Sequence, residues 1–185
     1  HGGAVGAMLT GACELKAKEL DPNLANPYLP LTISIFLLRP VPRRANQVRV
    51  EVLRQGNRGL FLRAEVWADD KLQACAQAAF ARAETTPGMP EPDFVPMDPD
   101  SGKPGKLTSP GLPWLGDAAV VRFTEDKLSW YRYDRPLFPG ETPMALAVSV
   151  ADWSSGTWRP DGWREPKAKQ FPNVELGVSV AGTTE

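Results

Sequence analysis

The residue types that carry chemistry are few and widely spaced in this chain. His1 is the only histidine, and it opens the run His1-Gly2-Gly3 ahead of an apolar helix-like stretch. Glycines at a helix start let a ligand approach the backbone N–H groups there, as anion sites do. The same glycines serve close packing of the helix against a neighbouring surface equally well. Asp152, in "VADWSSG", ends a second helix-like stretch. An acid at a helix C-terminus opposes the dipole, which singles the position out, although exposed acids near helix ends are common. Cys13 and Cys75 lie among Ala and Leu in different elements and are expected to be free, buried thiols. No phosphate loop, metal-ligand cluster or nucleophile elbow occurs in the sequence. Arg39, Arg43, Arg44 and Arg54 are candidates to meet phosphates, or are solvated loop residues. Trp153, Trp158 and Trp163 suit either an acyl or aromatic pocket or a cluster sealing the surface.

The elements that must position these residues are legible from periodicity. Residues 4–20 read as a helix, apolar nearly all round in its first half (Val5, Met8, Leu9, Ala12) and wet in its last turns (Glu14, Lys16, Lys18, Glu19). Gly6 and Gly11 inside it imply close packing. The period then falls from about 3.6 to 2. In "LTISIFLL", Leu31, Ile33, Ile35 and Leu37 share one face, while Phe36 and Leu38 make the other apolar too. "QVRVEVLR", "GLFLRAEVWA" and "KLQACAQAAFAR" follow, joined by hairpin signals at Gly56-Asn57 and Asp69-Asp70. This is one long helix followed by an antiparallel meander, polar on one face and wrapped about the helix with the other.

Residues 85–117 hold eight prolines in 33 residues, which argues against regular secondary structure there and for a linker. "AAVVRF" and "LSWYRYDRPLF" are strand-like after it. "TPMALAVSVAD" reads as a helix with Thr142 as N-cap and Pro143 at its first position, and "NVELGVSV" as a final strand. The order of the first half thus begins again in the second. The expected division is a first unit over 1–84, a Pro-rich linker over 85–117 and a second, partial unit over 118–185.

The chain has 185 residues, is 42% hydrophobic and 23% charged, and carries a formal charge of −1. That balance argues against a nucleic-acid binder. No apolar run reaches the length of a membrane span, and "HGGAVGAML" lacks the basic start of a signal peptide. The cytoplasm is the default location. The chain begins at His1 rather than Met and stops after a strand-like run, so residues are expected to be missing from both ends.

"HGGAVGAMLTGA", then an apolar strand ending in Arg-Pro-Val-Pro, then "VRVEVLRQGNRGLFLRAEVWADDKLQACAQAAFAR" resemble the double-hotdog acyl-CoA thioesterase-like proteins, the type II thioesterase group. The resemblance covers residues 1–84 and returns at "RPLFPGETPMALAVSVADWSSG" and "FPNVELGVSV". It implies an α+β hotdog fold, a curled antiparallel sheet round one long helix, duplicated in the chain with the second unit cut short. It also implies a substrate, acyl-CoA or another acyl thioester, gripped where two units meet, with no cofactor and no metal. Members of this group use an Asp, a Thr or Ser hydroxyl and a Gln to activate water. Asp152 matches the acid. Gly177 stands at the hydroxyl position, with Ser179 two residues on, either a substitute or simply a strand serine. The Gln belongs to a later strand, beyond the end of the chain, and Gln73 and Gln77 do not match it. His1, Gly2 and Gly3 would receive the thioester carbonyl. Hydrolysis by activated water is the function implied, with a non-catalytic acyl-thioester binding or assembly protein as the alternative. Hotdog hydratases are expected to use an Asp followed closely by His, and no Asp here precedes a His. A unit with exposed strand edges should seek partners, so a homo-oligomer is expected, with neither nucleic acid nor membrane as a partner.

Overall fold

A computed structural model describes residues 2–21, 26–82, 98, 100, 102–105, 115–123, 129–138, 140, 142–152 and 175–179. The first helix, α1, spans Gly2–Leu20, and the meander follows as β1 (Tyr28–Leu37), β2 (Gln47–Gln55), β3 (Gly59–Ala68) and β4 (Lys71–Arg82). Asp69 and Asp70 both take positive φ, 51° and 57°, the two-residue turn that matches the twist of a β3–β4 hairpin. Beyond the meander come a short β5 (Lys103–Gly105), a 3₁₀ turn (Leu115–Ala118), β6 (Ala119–Phe123), β7 (Ser129–Tyr133), α2 (Pro143–Ala151) and β8 (Glu175–Ser179). The main sheet runs β2-β3-β4-β1-β8, and β5, β6 and β7 form a second, small sheet. Strand β8 is antiparallel to β1, so the last strand of the second half completes the sheet of the first.

Helix α1 contacts all four strands of the meander, which one helix can do because the sheet curls around it. Alternation decides which side chains meet it. Leu60, Leu62, Ala64 and Val66 of β3 are fully buried, as are Ile33 and Ile35 of β1 to within 1%. Ala74, Ala76 and Ala78 of β4 line the same core. Strand β4 is poor in β-formers for this reason: small side chains let the helix lie close. At the far end of α1, Arg82 donates to the Asp21 carboxylate and stacks 4.3 Å from the Tyr28 ring, tying helix to sheet.

Four expectations are corrected. Leu31 does not share the buried face of Ile33 and Ile35, because a bulge between Pro30 and Thr32 resets the alternation and leaves it 46% exposed. The outer sheet face is not simply polar, since Phe36 and Phe61 stand on it exposed. The Pro-rich stretch does contain regular structure at Lys103–Gly105, paired with β6, and at its end in the 3₁₀ turn; most of it lies outside the described residues. Glu14 is not in the wet part of α1 but buried, 7% exposed.

Helix α2 begins as its sequence dictates. Thr142 takes an extended conformation and its hydroxyl accepts from the Ala145 N–H at 3.2 Å, with Pro143 in the first turn. It packs along α1 in the antiparallel sense, because residue 3 meets residue 152 at one end and residue 14 meets residue 142 at the other. The ring of Phe138 closes on Gly11, where an added Cβ would sit 2.6 Å from Cζ, so this helix glycine does serve close packing. Among the described residues no helix is long and apolar enough to cross a membrane.

Candidate functional site

The first turn of any helix leaves backbone N–H groups without intrahelical partners. At the start of α1 this positive end meets the C-terminal end of α2, and the Gly3 N–H donates to Asp152 Oδ2 at 2.8 Å. The unfavourable placing of Asp152 on its own helix is thereby offset by a favourable one on the neighbour. A Cβ at position 2 would lie 2.8 Å from Asp152 Oδ1 and 2.6 Å from Leu37 Cδ1. Only glycine admits the carboxylate this closely. The glycine opening serves close packing, here against a carboxyl group of the protein itself. Asp152 is half-buried, with its carboxylate held in a fixed orientation by a backbone donor.

The hydroxyl candidate is placed differently. Ser179 lies opposite Thr32, and Gly177 opposite Ser34, in the alternating set that excludes Ile33, Ile35 and Val178, the residues packed toward the core. Leu37, which touches Gly2, lies five residues along β1 from Thr32, roughly 16 Å for a strand. Gly177 is exposed and an added Cβ there would meet nothing within 4 Å. His1, Trp153, Trp158 and Trp163 lie outside the described residues.

The arginines are dispersed and already engaged in part. Arg39 donates to the Leu72 carbonyl at 2.7 Å, and Arg44 pairs with Asp69. Arg54 stands at the other end of the sheet, opposite Phe61. A groove of about 330 Å³ opens between Arg44, Gln47, Arg49, Trp67 and Asp69, with the Arg49 guanidinium 4.9 Å from the Trp67 ring centre. None of its lining residues comes from α1 or α2, so it is separate from the Gly3–Asp152 contact.

A second acid, which the sequence reading left in solvent, mirrors Asp152. Glu14 accepts a hydrogen bond from the Thr142 hydroxyl at the N-terminus of α2. Burial pushes its carboxyl above the usual range, opposed by the Thr142 hydrogen bond and by Lys18. The signal was available: Gly3, Ala7, Thr10, Glu14 and Ala17 recur at helical spacing and form a buried stripe on α1. Beside it the Cys13 thiol is pushed up to about 12 by burial, with Glu14 adding to the effect, which makes it a poor nucleophile. Cys13 and Cys75 are both free as expected, but only Cys13 is buried; Cys75 is partly exposed.

One helix wrapped by an antiparallel sheet, with a second helix packed alongside, is the α+β hotdog architecture, and solved structures share it. The chain superposes on an acyl-CoA thioesterase II, TesB2, from Mycobacterium marinum with a TM-score of 0.67 at 17% identity, covering 95% of this chain and 70% of that one. A conserved protein of unknown function with a hot dog fold from Alicyclobacillus acidocaldarius matches with a TM-score of 0.61 at 17% identity, covering 92% of this chain and 65% of that one. The chain therefore spans about two thirds of the length of these proteins. The family model of the acyl-CoA thioesterase N-terminal domain matches residues 1–83. No curated protein matches the chain. The α+β hotdog fold that the resemblance implied is borne out, and the likeness to the acyl-CoA thioesterase N-terminal domain extends over residues 1–83.

Proposed function

We propose that this protein hydrolyses an acyl thioester, acyl-CoA in the first instance, with water activated by Asp152. The observation that carries the reading is the Gly3–Asp152 contact, a carboxylate oriented at the positive end of a helix in a chain whose first 83 residues match the thioesterase N-terminal domain. In this mechanism one Asp152 oxygen takes a proton from water as the water oxygen attacks the thioester carbonyl. The carbonyl oxygen gains negative charge, which the dipole of α1 and first-turn N–H groups other than that of Gly3 stabilise. The tetrahedral intermediate collapses with cleavage of the C–S bond, and the thiolate leaves and takes up the proton. The products are a carboxylic acid and a free thiol, and no covalent acyl-enzyme forms.

One observation favours the alternative, a non-catalytic acyl-thioester binding or assembly protein: glycine, with no hydroxyl side chain, stands at position 177. Thiol release from a panel of acyl-CoAs decides between them. Wild type should release thiol, Asp152→Ala should lose on the order of 10²–10⁴ in rate, and Ser179→Ala should match wild type. Equal rates for wild type and Asp152→Ala would remove Asp152 from the mechanism. Acyl-CoA binding without release from any substrate would establish the binder.

A further inference from the structure

The two helices are joined at both ends. At one end the Gly3 N–H donates to Asp152 Oδ2 at 2.8 Å, and at the other the Thr142 hydroxyl donates to Glu14 Oε2. The spans between these contacts agree. Gly3 and Glu14 are eleven residues apart, Thr142 and Asp152 ten, which is about 16 Å and 15 Å at the helical rise. Apolar packing holds α2 in place without fixing its register. Met144 and Val148 bury in the core cluster, and such burial is non-directional. On α1, Ala7 and Thr10 lie at helical spacing between Gly3 and Glu14, all four buried. The Thr10 hydroxyl turns back to the Gly6 carbonyl of its own helix at 2.8 Å. Small side chains raise little ridge for a neighbouring helix to lock against. The directional contacts at the two ends therefore set how far along α1 the second helix sits.

Stability alone gives no reason for an acid at position 14. The side chain is buried, a polar group costs folding free energy there unless it is bonded, and an apolar side chain of like volume would escape that penalty. Thr142 does not need Glu14 in order to cap α2, because its oxygen accepts from the Ala145 N–H at 3.2 Å. Nor does α2 need Glu14 to stay docked, since Met144 and Val148 are in the core and the Phe138 ring closes on Gly11 just ahead of the helix. We infer that Glu14 is a positioning residue for Asp152: by accepting from Thr142 it fixes the axial register of α2 on α1, and with it the point at which Asp152 meets the Gly3 N–H. A helix of nine residues moves as a rigid rod, so a displacement at Thr142 is passed along it to Asp152. The catalytic consequence rests on the role proposed for Asp152; the geometric one does not.

The test compares Glu14→Met, which keeps the length of the side chain and removes the acceptor, with Glu14→Gln, which keeps both. Circular dichroism and the thermal midpoint should show both variants folded. In thiol release from an acyl-CoA, Glu14→Met should lower kcat about tenfold to 10²-fold, since displacing a reacting group by about 1 Å costs on the order of 10² in rate. KM should stay unchanged, because the lost interaction belongs to the transition state. Glu14→Gln should match wild type. A second readout needs no catalysis. The Gly3 amide proton resonance lies downfield while that N–H is donated to a carboxylate. It should move upfield in Asp152→Ala and in Glu14→Met, and hold its place in Glu14→Gln. If Glu14→Met misfolds, Thr142→Asp gives the same comparison from α2, since it keeps a capping oxygen and has no hydroxyl proton for Glu14; Thr142→Ser should restore the wild-type resonance. A Gly3 resonance unmoved by Glu14→Met or Thr142→Asp would overturn the inference, as would a wild-type kcat in Glu14→Met beside a slow Asp152→Ala. If wild type releases no thiol, hydrolysis by Asp152 fails, and the Gly3 resonance alone decides whether Glu14 positions that carboxylate.

Discussion

Replacing Gly2 by alanine puts a methyl group where the structure has a carboxylate. The new Cβ would stand 2.8 Å from Asp152 Oδ1, 3.0 Å from its Cγ and 2.6 Å from Leu37 Cδ1. The leucine methyl is the end of a flexible side chain and can rotate away. The carboxylate is held against α1 by the Gly3 N–H at 2.8 Å, and must retreat by roughly 0.6 Å to reach ordinary contact. That retreat lengthens or breaks the hydrogen bond that orients it. For stability the two effects oppose: alanine in place of glycine favours a helix by up to about 1 kcal/mol, and a hydrogen bond to a charged group contributes about 1.5–3 kcal/mol. The net change in folding free energy should therefore be small, about 1–2 kcal/mol at most. The change in catalysis should be large, because displacing a reacting group by about 1 Å costs on the order of 10²-fold in rate. Thiol release from an acyl-CoA, measured beside the thermal midpoint, separates these. The expected result is a fall in kcat/KM on the order of 10²-fold with a modest midpoint shift. Gly177→Ala, which adds its methyl to open space, should leave both unchanged. A Gly2→Ala protein with wild-type kcat/KM would show that the carboxylate position at α1 does not matter to the reaction.

Two further outcomes follow from the helix pair. The Glu14 carboxyl is raised above its ordinary 4.5 in the folded protein, so the folded state binds a proton more tightly than the unfolded one. Stability contributed by that proton is present below about pH 4.5 and is lost as pH rises through the folded-state value. Glu14→Gln keeps an acceptor for the Thr142 hydroxyl and removes the titration, so a denaturant series over pH should show the wild type losing stability relative to the variant as pH rises. A constant difference would refute the assignment. Gly11→Ala drives a methyl into the Phe138 ring, 2.6 Å from Cζ, and should cost about 1–3 kcal/mol in urea unfolding; an unchanged midpoint would show that the ring gives way without strain.

The elements were largely legible because their periodicities are clean. The period-2 runs of β2 and β3 and the Asp69-Asp70 turn gave the hairpins, and Thr142-Pro143 marked the start of α2 to the residue. What the sequence hid was anything set by register or by contact between distant elements. The bulge at Leu31 breaks an alternation that looks unbroken in "LTISIFLL". The addition of β8 to β1 depends on pairing between residues far apart in the chain, for which one strand pattern carries no partner information. The burial of Glu14 is not legible in the sequence because acids are seldom buried unless paired, and its partner, Thr142, lies on the other helix. Asp152 and the glycines stand out in the sequence only as separate features. Their meeting needs the antiparallel sense of α1 and α2, which neither helix encodes alone.

That antiparallel sense has a further consequence. Each helix places an acid at the positive end of the other: Asp152 at the start of α1, and Glu14 at the start of α2. As charge arrangements the two ends are alike, and either acid would favour the antiparallel packing over a parallel one. The dipole alone therefore cannot select which end performs chemistry. Burial does. Glu14 is nearly enclosed, its carboxyl pushed up by burial and already accepting a hydrogen bond from the Thr142 hydroxyl. Asp152 is half-open and meets two glycines that present no side chain between it and the helix start. A carboxyl that water can reach, beside the positive end of a helix, is what the proposed hydrolysis by activated water requires. On the proposed mechanism, the half-buried Asp152 end of the helix pair is the one that offers it, and the enclosed Glu14 end is not.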